Sequence, residues 1–337
     1  MTIHNYRRPG VTISRIQMTL TSPAIEMTAS HTMNLLELVN LRPLMDLTRG
    51  EPDIVIGLVD GPVADVAQLA GGRTSRVSGA TTMSCNDLSS ASCIHGTFVA
   101  SVLFAKRGSS APAICPDCTL LLRPIFVESK DGSHRPTATT PVELANAIHD
   151  CVDAGARVIN LSVGLSVPSS NGDRDLKQAL DRAARRSTLV VAAAGNQGTI
   201  GSSVITRHPW TIPVAACDLH GRPVKESNIA QSVGCRGLLA PGERVLGIDS
   251  TGKPAVQSGT SVAAPFVTGA IGLLWSSFNR ATATDIRFAI TRSYAPRRRA
   301  IVPPLLDGWE SWQFMAGQAG LGRQEGERSH ERHQNKR

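Results

Sequence analysis

The run Ile54-Val-Ile-Gly-Leu-Val59 is apolar at every position and stops at Asp60. A strand with one wet face carries a polar residue at every second position, so unbroken apolarity marks a strand covered on both faces. Three more segments, mostly apolar, are strand candidates: Thr119-Leu-Leu-Leu-Arg-Pro-Ile-Phe126, Val158-Ile-Asn-Leu-Ser-Val163 and Leu189-Val-Val-Ala-Ala-Ala194. Helical patterns lie between them. Over 141–154, Thr140 is the N-cap, Pro141 takes the first helical position, and Glu143 completes a capping box. Leu144, Ala147, Ile148, Cys151 and Val152 form one apolar face there, and Gly155 stops the helix. A second helix over 173–186 carries the stripe Leu176, Ala179, Leu180 and Ala183, and a third begins near His95. Strand, helix, strand in repetition is the pattern of right-handed crossovers, so the expected fold class is α/β, a mostly parallel central sheet with helices on both faces.

Around this core the sequence divides into an N-terminal extension over 1–50, with a helix near 33–39, a domain over 51–295, and a basic, disordered tail over 296–337. Residues 71–92, rich in Gly, Ser and Thr, read as loop. The net charge of +8 is dispersed except at Arg297-Arg298-Arg299 and the last fifteen residues, and no nucleic-acid-binding signature accompanies it. No nucleic-acid partner is expected. Apolar stretches fall short of the ~20 residues of a membrane span, so no membrane partner is expected either. The first thirty residues are interrupted by Pro9, Gly10, Arg15, Gln17, Pro23 and Glu26, leaving no export signal, and a cytoplasmic location follows. Seven cysteines, an odd number, argue against a disulfide framework and for free thiols. A redox pair at Cys115-Pro-Asp-Cys118, or a zinc site joining it to Cys85 and Cys93, stays open.

Four segments place polar groups where a doubly wound sheet presents its site, at strand ends and helix starts. Asp60 closes the first strand, His95 lies in Cys93-Ile-His-Gly-Thr-Phe-Val-Ala100, Asn196 in Ala192-Ala-Ala-Gly-Asn-Gln-Gly198, and Ser261 in Ser258-Gly-Thr-Ser-Val-Ala-Ala-Pro265. Singly, each has a dull reading as a turn, structural or capping residue. Together they supply a nucleophile, a base, an orienting carboxylate and an oxyanion donor, the set that acyl transfer requires.

These segments, with Val158-Ile-Asn-Leu-Ser-Val-Gly164 and Leu239-Ala-Pro-Gly242, resemble the subtilisin-like serine peptidases (subtilases) in kind and in order. The resemblance implies a serine endopeptidase with Ser261 as nucleophile, His95 as base, Asp60 as its orienting partner and Asn196 as oxyanion donor. It also implies an extended peptide pairing with the strand Leu161, Ser162, Val163 and Gly164, with Leu165 beside it in the binding surface. Ala192, Ala193, Ala194 and Gly195 would complete the binding surface, with Ala192, Ala193 and Gly195 as one pocket wall and Val163-Gly164 as the other. The family's usual second glycine is replaced by Leu165, which implies a narrower rim. Gly61-Pro62 follows Asp60 where a small hydroxyl residue and glycine are commoner, and Phe98 replaces a frequent histidine. Residues 99–116 contain no Asp, Asn or Glu, so no calcium site is expected there, and the site calls for no cofactor. Asp60-Gly-Pro-Val63, His95 to Ala100 and Leu121-Leu-Arg-Pro-Ile-Phe126 resemble proteases that mature cyanobactin-type ribosomal peptides. The competing readings are a general intracellular peptidase, an esterase using the same triad, and a catalytically silent peptide-binding module.

Overall fold

The structure is a computed structural model that describes residues 11–12, 29–77, 85–126, 139–165, 172–291 and 300–320. Seven parallel strands form the central sheet. In spatial order they are β3 (Arg73–Arg76), β4 (Thr119–Pro124), β2 (Val55–Asp60), β5 (Val158–Leu161), β7 (Leu189–Ala193), β8 (Thr211–Cys217) and β9 (Leu238–Pro241). Two antiparallel pairs stand apart from it: β10 (Val245–Ile248) with β11 (Pro254–Gln257), and the short β1 (Val11–Thr12) with β6 (Gly164–Leu165).

Helices cover both faces, which is why the strands are predominantly apolar. On one face α1 (Ala29–Leu38), α2 (Arg42–Leu47), α3 (Ala91–Phe104), α8 (Thr260–Ser277) and α9 (Ala283–Thr291) share a core with Ile56, Leu58, Leu120 and Val191. On the other, α4 (Pro141–Asp153) and α5 (Gly172–Arg185) pack on Leu121, Ile159, Leu161 and Val190. The short α6 (Val204–Arg207) and α7 (Gln231–Arg236) flank β8. The Thr140 hydroxyl accepts from Glu143 N at the start of α4, as the sequence predicts. Residues 260 to 275 of α8 are all buried, and an apolar helix of this kind belongs in the middle of a domain. It is also the one described helix long and apolar enough to cross a membrane, but 89% of that window is packed inside the protein.

The two ends of the chain depart from the sequence reading. Leu35, Val39, Leu41 and Leu44 are fully buried, so residues 29–50 belong to the domain rather than to an extension. Residues 301–320 are likewise no disordered tail. Leu306 is 1% exposed, the segment pairs with Leu239, and a helix over 308–320 buries Met315 and stacks Trp309 on Trp312 at 4.8 Å. Asn40 Nδ2 donates to Asp307 Oδ2 at 2.8 Å, tying both ends together. Arg297-Arg298-Arg299 and residues 321–337 lie outside the described residues.

The cysteine reading also needs correction. Cys85 and Cys93 form a disulfide, because the turn over 87–90 brings Cys85 back to the first turn of α3. Parity conceals such a bridge: one pair and five free thiols also make seven. Cys115 and Cys118 are free and buried side by side; burial pushes the Cys115 thiol up, while the hydrogen bond from Cys115 lowers Cys118.

Candidate active site

Asp60 is the last residue of β2, from which the chain crosses to β3 and β4 on one side of the sheet and afterwards to β5 on the other. Such a switch point opens a crevice at the carboxyl ends of the strands. His95 lies in the second turn of α3 rather than at its start, since the helix begins at Ala91. Two glycines bring helix and strand together. A Cβ on Gly61 would lie 2.0 Å from the Ser92 carbonyl oxygen, and one on Gly96 would lie 2.4 Å from that of Gly61. The hydroxyl residue that the resemblance leads one to expect at Gly61 therefore has no room. At this spacing His95 Nδ1 is 2.7 Å from Asp60 Oδ1, which also accepts from Gly61 N at 2.6 Å. Asp60 Oδ2 is buried and has no protein donor.

Ser261 is the second residue of α8. Gly259 precedes the helix at φ 139°, a conformation that favours glycine, and a Cβ there would stand 2.7 Å from Asn196 Nδ2. Ser261 Oγ lies 3.0 Å from His95 Nε2, and Asp60, His95 and Ser261 are 0, 1 and 3% exposed. The line from carboxylate to imidazole to hydroxyl is continuous and shielded from water.

Asn196 stands beside it on the loop after β7. Its Oδ1 accepts from both the amide and the hydroxyl of Thr260, at 2.8 and 2.9 Å, and Gly195 N donates to that hydroxyl at 3.0 Å. Two donors on one oxygen fix the amide, so Nδ2 is the end turned away from Thr260. The loop is braced from behind by Asn228, whose Oδ1 accepts from the backbone amides of Gln197 and Thr199, whose Nδ2 donates to Ala194 O and whose backbone N–H donates to Gly195 O. Thr260 and Asn228 escaped the sequence reading. Thr260 has a signal in the Gly-Thr-Ser motif; Asn228 has none.

The expected substrate-binding residues separate into two groups. Val163, Ala193 and Ala194 line a cavity of about 310 Å³, with Gln197, Val204 and Ile205 around it. Leu161 and Ala192 instead pack in the core shared with α4 and α5, 0 and 1% exposed. Ser162 is buried beneath the nucleophile, its hydroxyl donating to Ser261 O at 2.8 Å. Gly195 takes the positive φ that turns the chain toward Asn196. Gly164 and Leu165 form β6 and pair antiparallel with Val11–Thr12, so this edge accepts an added strand. The Leu165 side chain and residues 166–171 lie outside the described residues.

Among the described residues no group of three or more His, Cys, Asp or Glu side chains comes together. Within 99–116 the notable feature is Arg107. Its guanidinium donates to the carbonyls of Met45, Thr48 and Ile114, and burial, followed by the charge of Arg49, pulls its pKa down.

The signature of the Subtilase family matches residues 53–320, and the chain belongs to that family. It is 33% identical over 198 residues to thermitase of Thermoactinomyces vulgaris, a match covering 58% of this chain and 65% of thermitase. It is 32% identical over 184 residues to the thermophilic serine proteinase of Bacillus sp. (strain AK1), covering 54% of this chain and 42% of that protein. Among solved structures it is similar to the prenylagaramide maturation protease PagA, at 28% identity and a TM-score of 0.70, covering 81% of this chain and 98% of PagA. It is similar also to the patellamide maturation protease PatA, at 30% identity and a TM-score of 0.68, covering 80% and 98%.

Proposed function

We propose that this chain is a serine endopeptidase that works inside the cell on a small precursor peptide, bound as an extended strand. The observation that carries the chemistry is the buried line Asp60 Oδ1, His95 Nδ1, His95 Nε2, Ser261 Oγ, with steps of 2.7 and 3.0 Å. Ser261 Oγ attacks the scissile carbonyl while its proton passes to His95 Nε2, and Asp60 holds the ring and offsets the imidazolium charge. The carbonyl oxygen becomes an oxyanion that accepts from Ser261 N, at the start of α8, and from Asn196 Nδ2. His95 then returns the proton to the leaving amine, leaving an acyl group on Ser261. Water, deprotonated by the same imidazole, releases that acyl group as a carboxylic acid.

The substrate class is supported by the likeness to PagA and PatA, which are maturation proteases by name. The cysteines favour no compartment, since a disulfide and free thiols occur together; the intracellular site rests on the substrate class. Backbone pairing along 161–164 gives affinity with little sequence information, and each side-chain pocket adds only ~1–3 kcal/mol of discrimination per methylene. A processing enzyme must therefore read several positions at once. Cleavage of a diverse peptide library beside casein, followed by mass spectrometry, tests this. Cuts confined to a narrow set of extended segments, with casein slowly degraded, support the reading. Rapid, broad degradation of both overturns the processing role.

A further inference from the structure

Thr268 lies on α8 seven residues beyond Ser261, two turns along the same face of the helix, and is fully buried. A helical threonine commonly bonds back to the preceding turn. Here Oγ1 instead leaves the helix and donates to Asn160 Oδ1 on β5 at 2.8 Å. Asn160 Nδ2 then donates to Ser162 Oγ at 2.7 Å, and Ser162 Oγ donates to the carbonyl oxygen of Ser261 at 2.8 Å. Asn160 and Ser162 are both fully buried, so an unpaired group anywhere on this path is costly.

The directions along the path are linked. With Oδ1 of Asn160 held by Thr268, its amide hydrogens face Ser162, which must accept there and has only its own hydrogen to give to Ser261. Were the amide reversed, Ser162 would donate to Asn160 and release the Ser261 carbonyl. Ser162 also lies within the segment 161–164 on which the peptide is expected to pair. The path therefore joins the backbone of the nucleophile to the substrate strand.

We propose that Thr268 is a positioning residue: by selecting one orientation of the Asn160 amide, it sets the register between Ser261 and the strand that holds the peptide. It touches neither substrate nor reacting atoms. A long peptide must meet the nucleophile and the strand together, whereas a small fluorophosphonate needs only Ser261, His95 and the oxyanion donors. The proposal rests on the peptidase reading, and the test separates the two. Thr268→Val keeps the volume and removes the hydroxyl. We expect it to lower kcat/KM on an extended peptide roughly tenfold or more, through misplacement of the reacting groups, while phosphonate labelling stays within about twofold. Thr268→Ser should restore the peptide rate. If Thr268→Val does not fold, Thr268→Ala removes the same hydroxyl without placing a methyl against the amide and is judged by the same criteria. Peptide and phosphonate rates that fall together, a peptide rate left unchanged, or failure of serine to restore it each overturn the proposal alone. Wild-type protein that takes up no phosphonate and cleaves no peptide overturns the peptidase reading as well.

Discussion

Pro265 lies where an α-helix would return an amide hydrogen to the Ser261 carbonyl, and the Ser162 hydroxyl donates to that oxygen instead, at 2.8 Å. A proline inside a helix ordinarily weakens it; here the missing donor frees a carbonyl that the substrate strand takes up. The same relationship explains why a proline belongs four residues after the nucleophile. Its ring leaves the first turn of α8 held by Ser162, just past the end of β5, rather than by the helix alone.

The oxyanion assignment makes a direct kinetic prediction. Asn196→Leu keeps the side-chain volume and removes the donor that faces away from Thr260. Turnover on a peptide should fall by ~10²–10³ with little change in KM, because the bond forms only as the carbonyl becomes an oxyanion. Steady-state kinetics with a fluorogenic peptide measure both constants. A loss confined to KM would place Asn196 in ground-state binding.

The pairing of Val11–Thr12 with Gly164–Leu165 uses the edge assigned to the substrate. Two strands cannot occupy one edge, so Val11–Thr12 would compete with a peptide bound there, and deletion of residues 1–20 tests this. Their removal should lower KM for a peptide a few-fold and leave kcat unaltered. An increase in KM on truncation would mean that the segment helps to build the site.

Arg107 fills a position where its charge satisfies three carbonyls from separate segments. Arg107→Met strands those oxygens and should cost about 1–3 kcal/mol of stability, seen as a lower melting temperature. Millimolar calcium should not restore it, since no acidic side chain lies within 99–116. Recovery of the lost stability by calcium would show that the carbonyls bind a metal once the arginine is gone.

Thiol titration in denaturant tests the disulfide. Without reductant five thiols should react per chain, and with reductant seven. Seven without reductant would restore the all-thiol reading of the sequence. Closing a loop as short as the one from Cys85 to Cys93 is worth roughly 2–3 kcal/mol in the chain-entropy account, so reduction should also lower the melting temperature.

What the sequence disclosed follows from physical reach. β2, β4, β5 and β7 are legible because strands covered on both faces are predominantly apolar, with only single polar residues such as Arg123 and Asn160 interrupting them. β8 is hidden by Pro213, which stands in an interior strand where proline is unexpected, and β3 by its exposed Arg-Thr-Ser-Arg composition. The helix over 308–320 is obscured because Trp309, Trp312 and Met315 are scattered among polar residues. Asp60, His95, Asn196 and Ser261 each sit in a short context that demands their neighbours, such as the glycines that permit close approach. Asn160 and Thr268 meet across 108 residues of sequence, and only the crossing of α8 over β5 brings them together. No local pattern carries that contact.

The central claim is that Ser261 is the nucleophile, activated by His95 and Asp60, and covalent labelling tests it most directly. The protein is treated with a fluorophosphonate, digested, and mapped by mass spectrometry beside Ser261→Ala. The account predicts one adduct, on the peptide containing Ser261, its absence from the folded Ser261→Ala protein, and loss of peptide cleavage in step with labelling. An adduct on another residue, or peptide cleavage retained by Ser261→Ala, would contradict it.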